Sequence, residues 1–314
     1  MLLTATITTF ALLAILVLRA RVQRGWLQRA GIAGLAVAAL GAGCHTTVRG
    51  YANLVPPPQP EPRREIAPGI VYERRVEPAV PRVEHWARVS IEDVEVVITE
   101  GDDEELPLVG QTTSAFAERE GLTLAINGGF FDPWEAGLLD PYPQEGERVA
   151  PLGFAASRGH VYGRVAPNTS TLYVNEDGSV SFDEPAQVWG ALSGGCMLVS
   201  RGRRADANGC PLPKLNDKRQ PRTAVGLTED RRTLIFLVVD GRQRRRSAGA
   251  TLDELADLLV AEGAHEAVNF DGGGSSVLVA RGASGGVEVL STPISGGVPG
   301  NERVVGSHLG VRPR

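Results

Sequence analysis

From Ile66 onward the chain is a series of short apolar runs cut by clusters of Gly, Asp, Asn and Pro. The runs "GIVYERRV" (69–76), "VEVVIT" (94–99), "LTLAIN" (122–127), "LGFAAS" (152–157), "TLYVN" (171–175), "CMLVS" (196–200), "TAVGL" (223–227) and "TLIFLVVD" (233–240) are rich in β-branched and apolar residues. They predict strands. "EDGSV" (176–180) predicts a hairpin turning at Asp-Gly. Only two stretches carry a helical signal. "TSAFAERE" (113–120) is short. "TLDELADLLVAEGA" (251–264) opens on Thr251 with Glu254 three residues later, a capping box, and Gly263 is placed to end it. Leu252, Leu255, Ala256, Leu258 and Leu259 form one apolar stripe along it. No period of a repeat architecture is visible. The pattern predicts an α+β fold: a strand-dominated mixed sheet with few helices and one local strand–helix–strand crossover.

That crossover is the most readable segment. A buried strand ends in "VVDG", the cationic loop "RQRRRSAGA" follows, then the capped helix, then "AVNF" running into "DGGG". The length suits a connection between parallel strands. Asp240 and Asp271 are then expected at the carboxyl ends of neighbouring strands, the edge where open α/β arrangements bind ligands.

The amino terminus follows different rules. Residues 1–44 contain Arg19, Arg21, Arg24 and Arg29 and no acid, so the formal net charge of −5 becomes −9 without them. An acidic remainder argues against a nucleic-acid partner. Leu2–Leu18 is an apolar run of marginal length for a membrane span. Ala30–Gly43 is shorter, follows the arginines and ends at Cys44, which is the order of a secretory signal. "LGAGC" resembles a bacterial lipobox with Cys44 as the acylated residue, although Gly41 stands where Leu is usual; a plain amino-terminal anchor helix is the alternative. Residues 45–65, with "VPPPQPEPRRE", read as an extended linker. Residues 66–314 read as one domain, exported and held at the cell envelope through a lipid or helix anchor. Two further cysteines, Cys196 and Cys210, lie 14 residues apart. They can close a disulfide that constrains the unfolded chain by roughly 3 kcal/mol, or stand as two thiols. No cofactor is expected. A divalent cation is compatible with the acids present, but no ligand spacing marks its site.

Three corners place an acid or amide beside glycine just past an apolar strand: "NGGFFD" (127–132), "VVDGR" (238–242) and "NFDGGGSS" (269–276). Each alone is turn chemistry; three in one domain suggest a shared site. Together with "PRTAVGL" and "NERVVGSHLGV", and in this order, they resemble the phosphodiester glycosidase family across residues 68–312, a family with exopolysaccharide-associated bacterial relatives. The resemblance implies cleavage of a sugar-1-phosphate diester on the glycosidic side. Such a reaction needs a carboxylate at an oxocarbenium-like carbon and cations around the departing phosphate, a task suited to arginine.

On this reading Asp271 is the first candidate for the catalytic carboxylate and Asp240 the second, with Asn127 bonding sugar hydroxyls. Arg222 and Arg303 would clamp phosphate, Gly272 and Gly273 would present amides to an anion, and Ser275 and Ser276 would donate hydroxyls. His308, as acid or base, and Glu302 and Asp132, as reserve carboxylates, are weaker candidates. The same residues would also suit a non-catalytic polysaccharide-binding envelope lipoprotein.

Overall fold

The strand that best explains the architecture is Thr233–Val239. Successive side chains of a strand point to opposite faces. Here Leu234, Phe236 and Val238 enter one core, while Ile235, Leu237 and Val239 enter another. Both faces are covered, so the run is continuously apolar rather than alternating. Burying each such side chain is worth about 1.5–3 kcal/mol.

The computed structural model describes residues 55–135, 142–205 and 216–314, and residues 56–314 belong to one compact unit. Twelve strands are labelled here in chain order. They are β1 (Glu61–Ala67), β2 (Ile70–Glu77), β3 (Arg82–Ser90), β4 (Val94–Ile98), β5 (Leu124–Asn127) and β6 (Met197–Ser200). Then come β7 (Arg222–Thr228), β8 (Thr233–Val239), β9 (Ala264–Asn269), β10 (Leu278–Arg281), β11 (Val287–Val289) and β12 (His308–Pro313). Among the described residues the two α-helices are α1 (Thr113–Arg119) and α2 (Leu252–Ala261).

The largest sheet has the order β1-β2-β3-β8-β7-β9-β6, with Arg203–Arg204 at its far edge. A second sheet runs β11-β10-β5-β12-β4. One core lies between them, with Tyr72, Val225, Phe236 and Val268 meeting Ile126, Leu278 and Leu309. Helix α2 covers the outer face of the large sheet through Leu252, Leu255, Ala256 and Leu259. Helix α1 covers the outer face of the second sheet through Phe116 and Ala117.

The crossover forms, but its strands are not neighbours. β7 is antiparallel to both β8 and β9 and lies between them. Asp240 and Asp271 therefore follow parallel strands separated by one strand. The start of β7 occupies the gap, with Arg222 paired to Val239.

Other boundaries shift for identifiable reasons. β1 begins inside the stretch read as linker. Its charged residues suit an exposed edge strand, with Arg63 bonding Glu73 and Arg64 bonding Glu61. The remaining linker residues to 54, the 1–44 segment and Cys44 lie outside the described residues, as does Cys210. β3, β10 and β12 are absent from the expected strands. β3 is obscured by Glu84 and His85, both buried. Each finds a partner within the protein: Glu84 accepts from Arg82 Nε (2.7 Å) and Trp86 Nε1 (2.9 Å), while His85 Nδ1 pairs with the Tyr72 hydroxyl (2.9 Å) and its Nε2 faces Asp240 Oδ2 at 3.4 Å. Among the described residues no helix is long and apolar enough to cross a membrane.

The capping box of α2 is complete. Thr251 Oγ1 accepts from the Glu254 amide (3.1 Å), and a Glu254 carboxylate oxygen accepts from the Thr251 amide (2.9 Å). Replacing Thr251 by Ala is expected to destabilise the unit by about 1 kcal/mol, while Thr251→Ser stays near wild type. The checking measurement is urea unfolding, with the midpoint falling at unchanged slope.

Candidate active site

The expected residues gather along one edge, where β8 and β9 end, β7 begins and the second sheet contributes the end of β5. Their side chains then part company, and the partners of each decide its part.

Asn127 is fully buried. Its Oδ1 accepts from the Thr223 hydroxyl (2.8 Å) and the Val277 amide (3.2 Å). Its Nδ2 donates to the carbonyls of Asp271 (2.8 Å) and Gly128 (3.2 Å). That engages both donors and both acceptor positions of the carboxamide, so nothing of Asn127 is left for a sugar hydroxyl. It fastens the "NGG" corner to the "DGGG" corner.

Arg222 points away from the acids. Its Nε donates to the Ala250 carbonyl (3.0 Å) and its Nη2 to the Lys218 carbonyl (2.9 Å). Burial, reinforced by the Arg242 charge, lowers its pKa to about 10. It ties two loops together through these carbonyls.

Asp240 is only 2% exposed. Its Oδ1 accepts from the Thr292 amide (2.7 Å), and its Oδ2 faces His85 Nε2 at 3.4 Å. Burial opposes its ionisation, but the His85 ring and the Thr292 amide outweigh it, and the pKa is lowered. The β3 neighbour that makes this possible, His85, pairs with Val238 in register. It was not among the sequence candidates, because cross-strand pairing is not visible along a chain.

Asp271 is half-buried and keeps an accessible side. Its Oδ2 accepts from Ser275 Oγ (2.6 Å), and Arg303 Nη1 reaches the same hydroxyl at 3.4 Å. Burial raises its pKa, only partly offset by the Ser275 hydrogen bond and the charges of Arg303 and Arg242. Arg303 in turn is pulled down by burial and pushed up by Asp271.

The glycines of "DGGG" now have identifiable neighbours. A Cβ on Gly273, which has φ +63°, would sit 2.7 Å from Arg242 Nη2; one on Gly274 would sit 2.5 Å from Arg303 Nη2. One on Gly272 would meet the Pro221 carbonyl at 2.9 Å. The absent side chains let two guanidinium groups lie against the backbone beside Asp271. Arg242 also donates to Gln220 Oε1 (2.7 Å) and is exposed.

The weaker candidates have structural duties. His308 is buried, stacked on Phe116 at 4.6 Å, and bonded to Thr99 Oγ1 at 3.0 Å through Nδ1. Burial lowers its pKa to about 3, keeping it neutral. Glu302 accepts from the Ser114 amide (3.1 Å) and hydroxyl (2.5 Å) in the first turn of α1, a cap for that helix. Asp132 is exposed in a two-residue strand paired with Ala150. Ser276 is buried, and its hydroxyl has no hydrogen-bond partner among the described residues. No group of three or more His, Cys, Asp or Glu is arranged to hold a metal among those residues.

Opposite stability effects are expected from these side chains. Asp271→Asn should hold or raise stability at neutral pH. A carboxyl whose pKa is raised in the fold makes stability fall as pH climbs from the ordinary aspartate range through its own value. The advantage of the variant should therefore vanish in acid, below that range. Asn127→Ala leaves a buried hydroxyl and a buried amide unpaired, about 1–3 kcal/mol each. Asp240→Asn removes the charge of a buried carboxylate that accepts from the Thr292 amide and faces His85 Nε2, a loss of about 1–3 kcal/mol. Denaturant unfolding of the three variants at pH 7 separates the classes.

Comparison with known proteins identifies relatives of the chain. A family model described as phosphodiester glycosidase matches residues 120–312. The bovine N-acetylglucosamine-1-phosphodiester alpha-N-acetylglucosaminidase is 28% identical over 183 residues, covering 54% of this chain and 33% of the bovine protein. The chain thus corresponds to about a third of that relative's length. A structure titled zebrafish N-acetylglucosamine-1-phosphodiester alpha-N-acetylglucosaminidase catalytic domain, auto-inhibited by pro-peptide, superposes with a TM-score of 0.57 at 21% identity. The match covers 82% of this chain and 87% of that one. A hypothetical protein from Synechocystis gives 0.55 at 15% identity, covering 82% and 64%. These two likenesses establish a shared fold.

Proposed function

The chain belongs to the phosphodiester glycosidase family, and from that premise we propose that it hydrolyses sugar-1-phosphodiester or related glycosidic linkages in an exported or envelope glycan. Asp271 is the carboxylate presented to the anomeric carbon. The observation that carries this choice is its accessibility. Asp271 is half-buried with an open side, whereas Asp240 is sealed between His85 and the Thr292 amide.

In the reaction the bond between the anomeric carbon and the phosphate oxygen breaks, and its electron pair leaves with the phosphate monoester. Water supplies the oxygen that replaces it on the sugar, and its proton is released to solvent or carried by a carboxylate. The leaving group is already a stable anion, so it needs positive charge more than a proton. Arg303 and Arg242, both acting electrostatically on Asp271, supply that charge. Ser275 orients the carboxylate through its 2.6 Å hydrogen bond.

Export is the setting that suits the amino-terminal arginines and apolar runs, with Cys44 as the lipid-bearing residue. A Cys196–Cys210 disulfide fits the same setting, and Cys196 is disulfide-bonded.

The test is turnover of a methyl diester of N-acetylglucosamine-1-phosphate by the full-length chain, read as released reducing sugar. Asp271→Asn should lose turnover and keep its fold. Binding without turnover by the wild-type chain would replace the enzyme with a polysaccharide-binding protein. The acid limb of kcat/KM reports the free enzyme's essential carboxylate and should lie above the ordinary aspartate range. Ser275→Ala removes a hydrogen bond that favours the ionised form, so it should move that limb further up. A limb that stays in place removes Asp271 from the reaction.

A further inference from the structure

We infer that Trp134 is the stacking platform for the sugar ring of the substrate, a subsite that rests on the glycosidase reading of Asp271. Trp134 lies just beyond the "NGGFFDP" motif and is 45% exposed. Exposure alone decides nothing, since isolated apolar side chains are common on surfaces. What singles out Trp134 is the layer beneath it. The Arg303 guanidinium carbon lies 4.9 Å from its ring centroid. The same guanidinium lies against the backbone of Gly274, where any Cβ would clash. From Arg303 the contacts continue to Ser275 Oγ and on to Asp271 Oδ2. Trp134 is thus the outer member of a stack built on the catalytic corner.

The chemistry fits a sugar. An indole face is electron-rich, which is why a cation is drawn to it, and the C–H-bearing face of a pyranose presents the same weakly positive character. Ligand sites combine aromatic walls with a few placed polar groups. Here Arg303 holds one face of the ring, which leaves the opposite, solvent-facing side for the sugar. Trp134 would contribute affinity for the sugar without touching the reacting atoms.

The experiment measures binding by calorimetry, using full-length chains that carry Asp271→Asn so the probe survives. The probes are the methyl diester of N-acetylglucosamine-1-phosphate and dimethyl phosphate, which carries the same anion without the sugar. Adding Trp134→Ala should weaken the sugar diester tenfold or more and leave dimethyl phosphate within twofold; Trp134→Phe should stay within threefold on both. Equal affinity for the sugar diester with and without Trp134 overturns the platform, as does an equal loss on both probes, which would make Trp134 only a support for Arg303. Absence of sugar-diester binding to the Asp271→Asn chain overturns it too. Turnover by the chain with native Asp271 is the separate arm. Turnover with an indifferent Trp134 sinks the platform alone, while Trp134-dependent binding without turnover sinks the enzyme reading alone.

Discussion

One carboxamide holds the site together. Asn127 ends a strand of the second sheet, yet it accepts from Thr223 of the large sheet and donates to the Asp271 carbonyl. The Val277 amide fixes its orientation, because only the amide oxygen can receive that donor. Two sheets that share an apolar core can slide against each other with little directional penalty, since the hydrophobic effect is non-directional. A buried, fully satisfied polar group is directional and fixes their relative position. The corner carrying Asp271 is hung from this group, and the neighbouring bond from the Asp271 amide to the Gly128 carbonyl (3.0 Å) doubles the attachment.

The close packing of that corner explains its glycines better than flexibility does. Gly128 is pressed against Ser307, Gly129 against the Ser193 carbonyl, and Gly194 against the Asn269 carbonyl. These are backbone-to-backbone approaches that no side chain permits. Gly273 and Gly274 serve a different purpose, admitting Arg242 and Arg303. Glycine repeats in the motifs thus do two jobs: they let three corners converge, and they let positive charge reach the acid that one of them carries.

Much of this was legible in the sequence and some could not be. The capped helix, the Asp-Gly hairpin and the long strand β8 depend on local patterns, and the structure contains all three, with Val174 paired to Val180 across the hairpin. The gathering of the motif corners followed from their kinship. The strand inserted between β8 and β9 was not legible, because β7 precedes both in the chain and pairing order leaves no local trace. β3 was hidden for a different reason. Its Glu84 and His85 look like surface residues until Trp86, Arg82, Tyr72 and Asp240 are brought against them. The partners of Arg222 and Asn127 were hidden on the same ground: polar residues beside a site can be engaged by the protein itself.

The two aspartates make that point most sharply. Each follows an apolar strand and precedes glycine, so the chain writes them alike. Asp240 meets a histidine from the adjacent strand and an amide from a distant loop, and the fold favours its charge. Asp271 meets a serine four residues away and Arg303 beyond that serine's hydroxyl, and the fold resists its charge. Asp240 is a sealed, stabilised carboxylate. Asp271 carries a charge that burial opposes, Asp240 a charge that its partners support. The difference between the two aspartates therefore lies in what other strands bring to a similar motif.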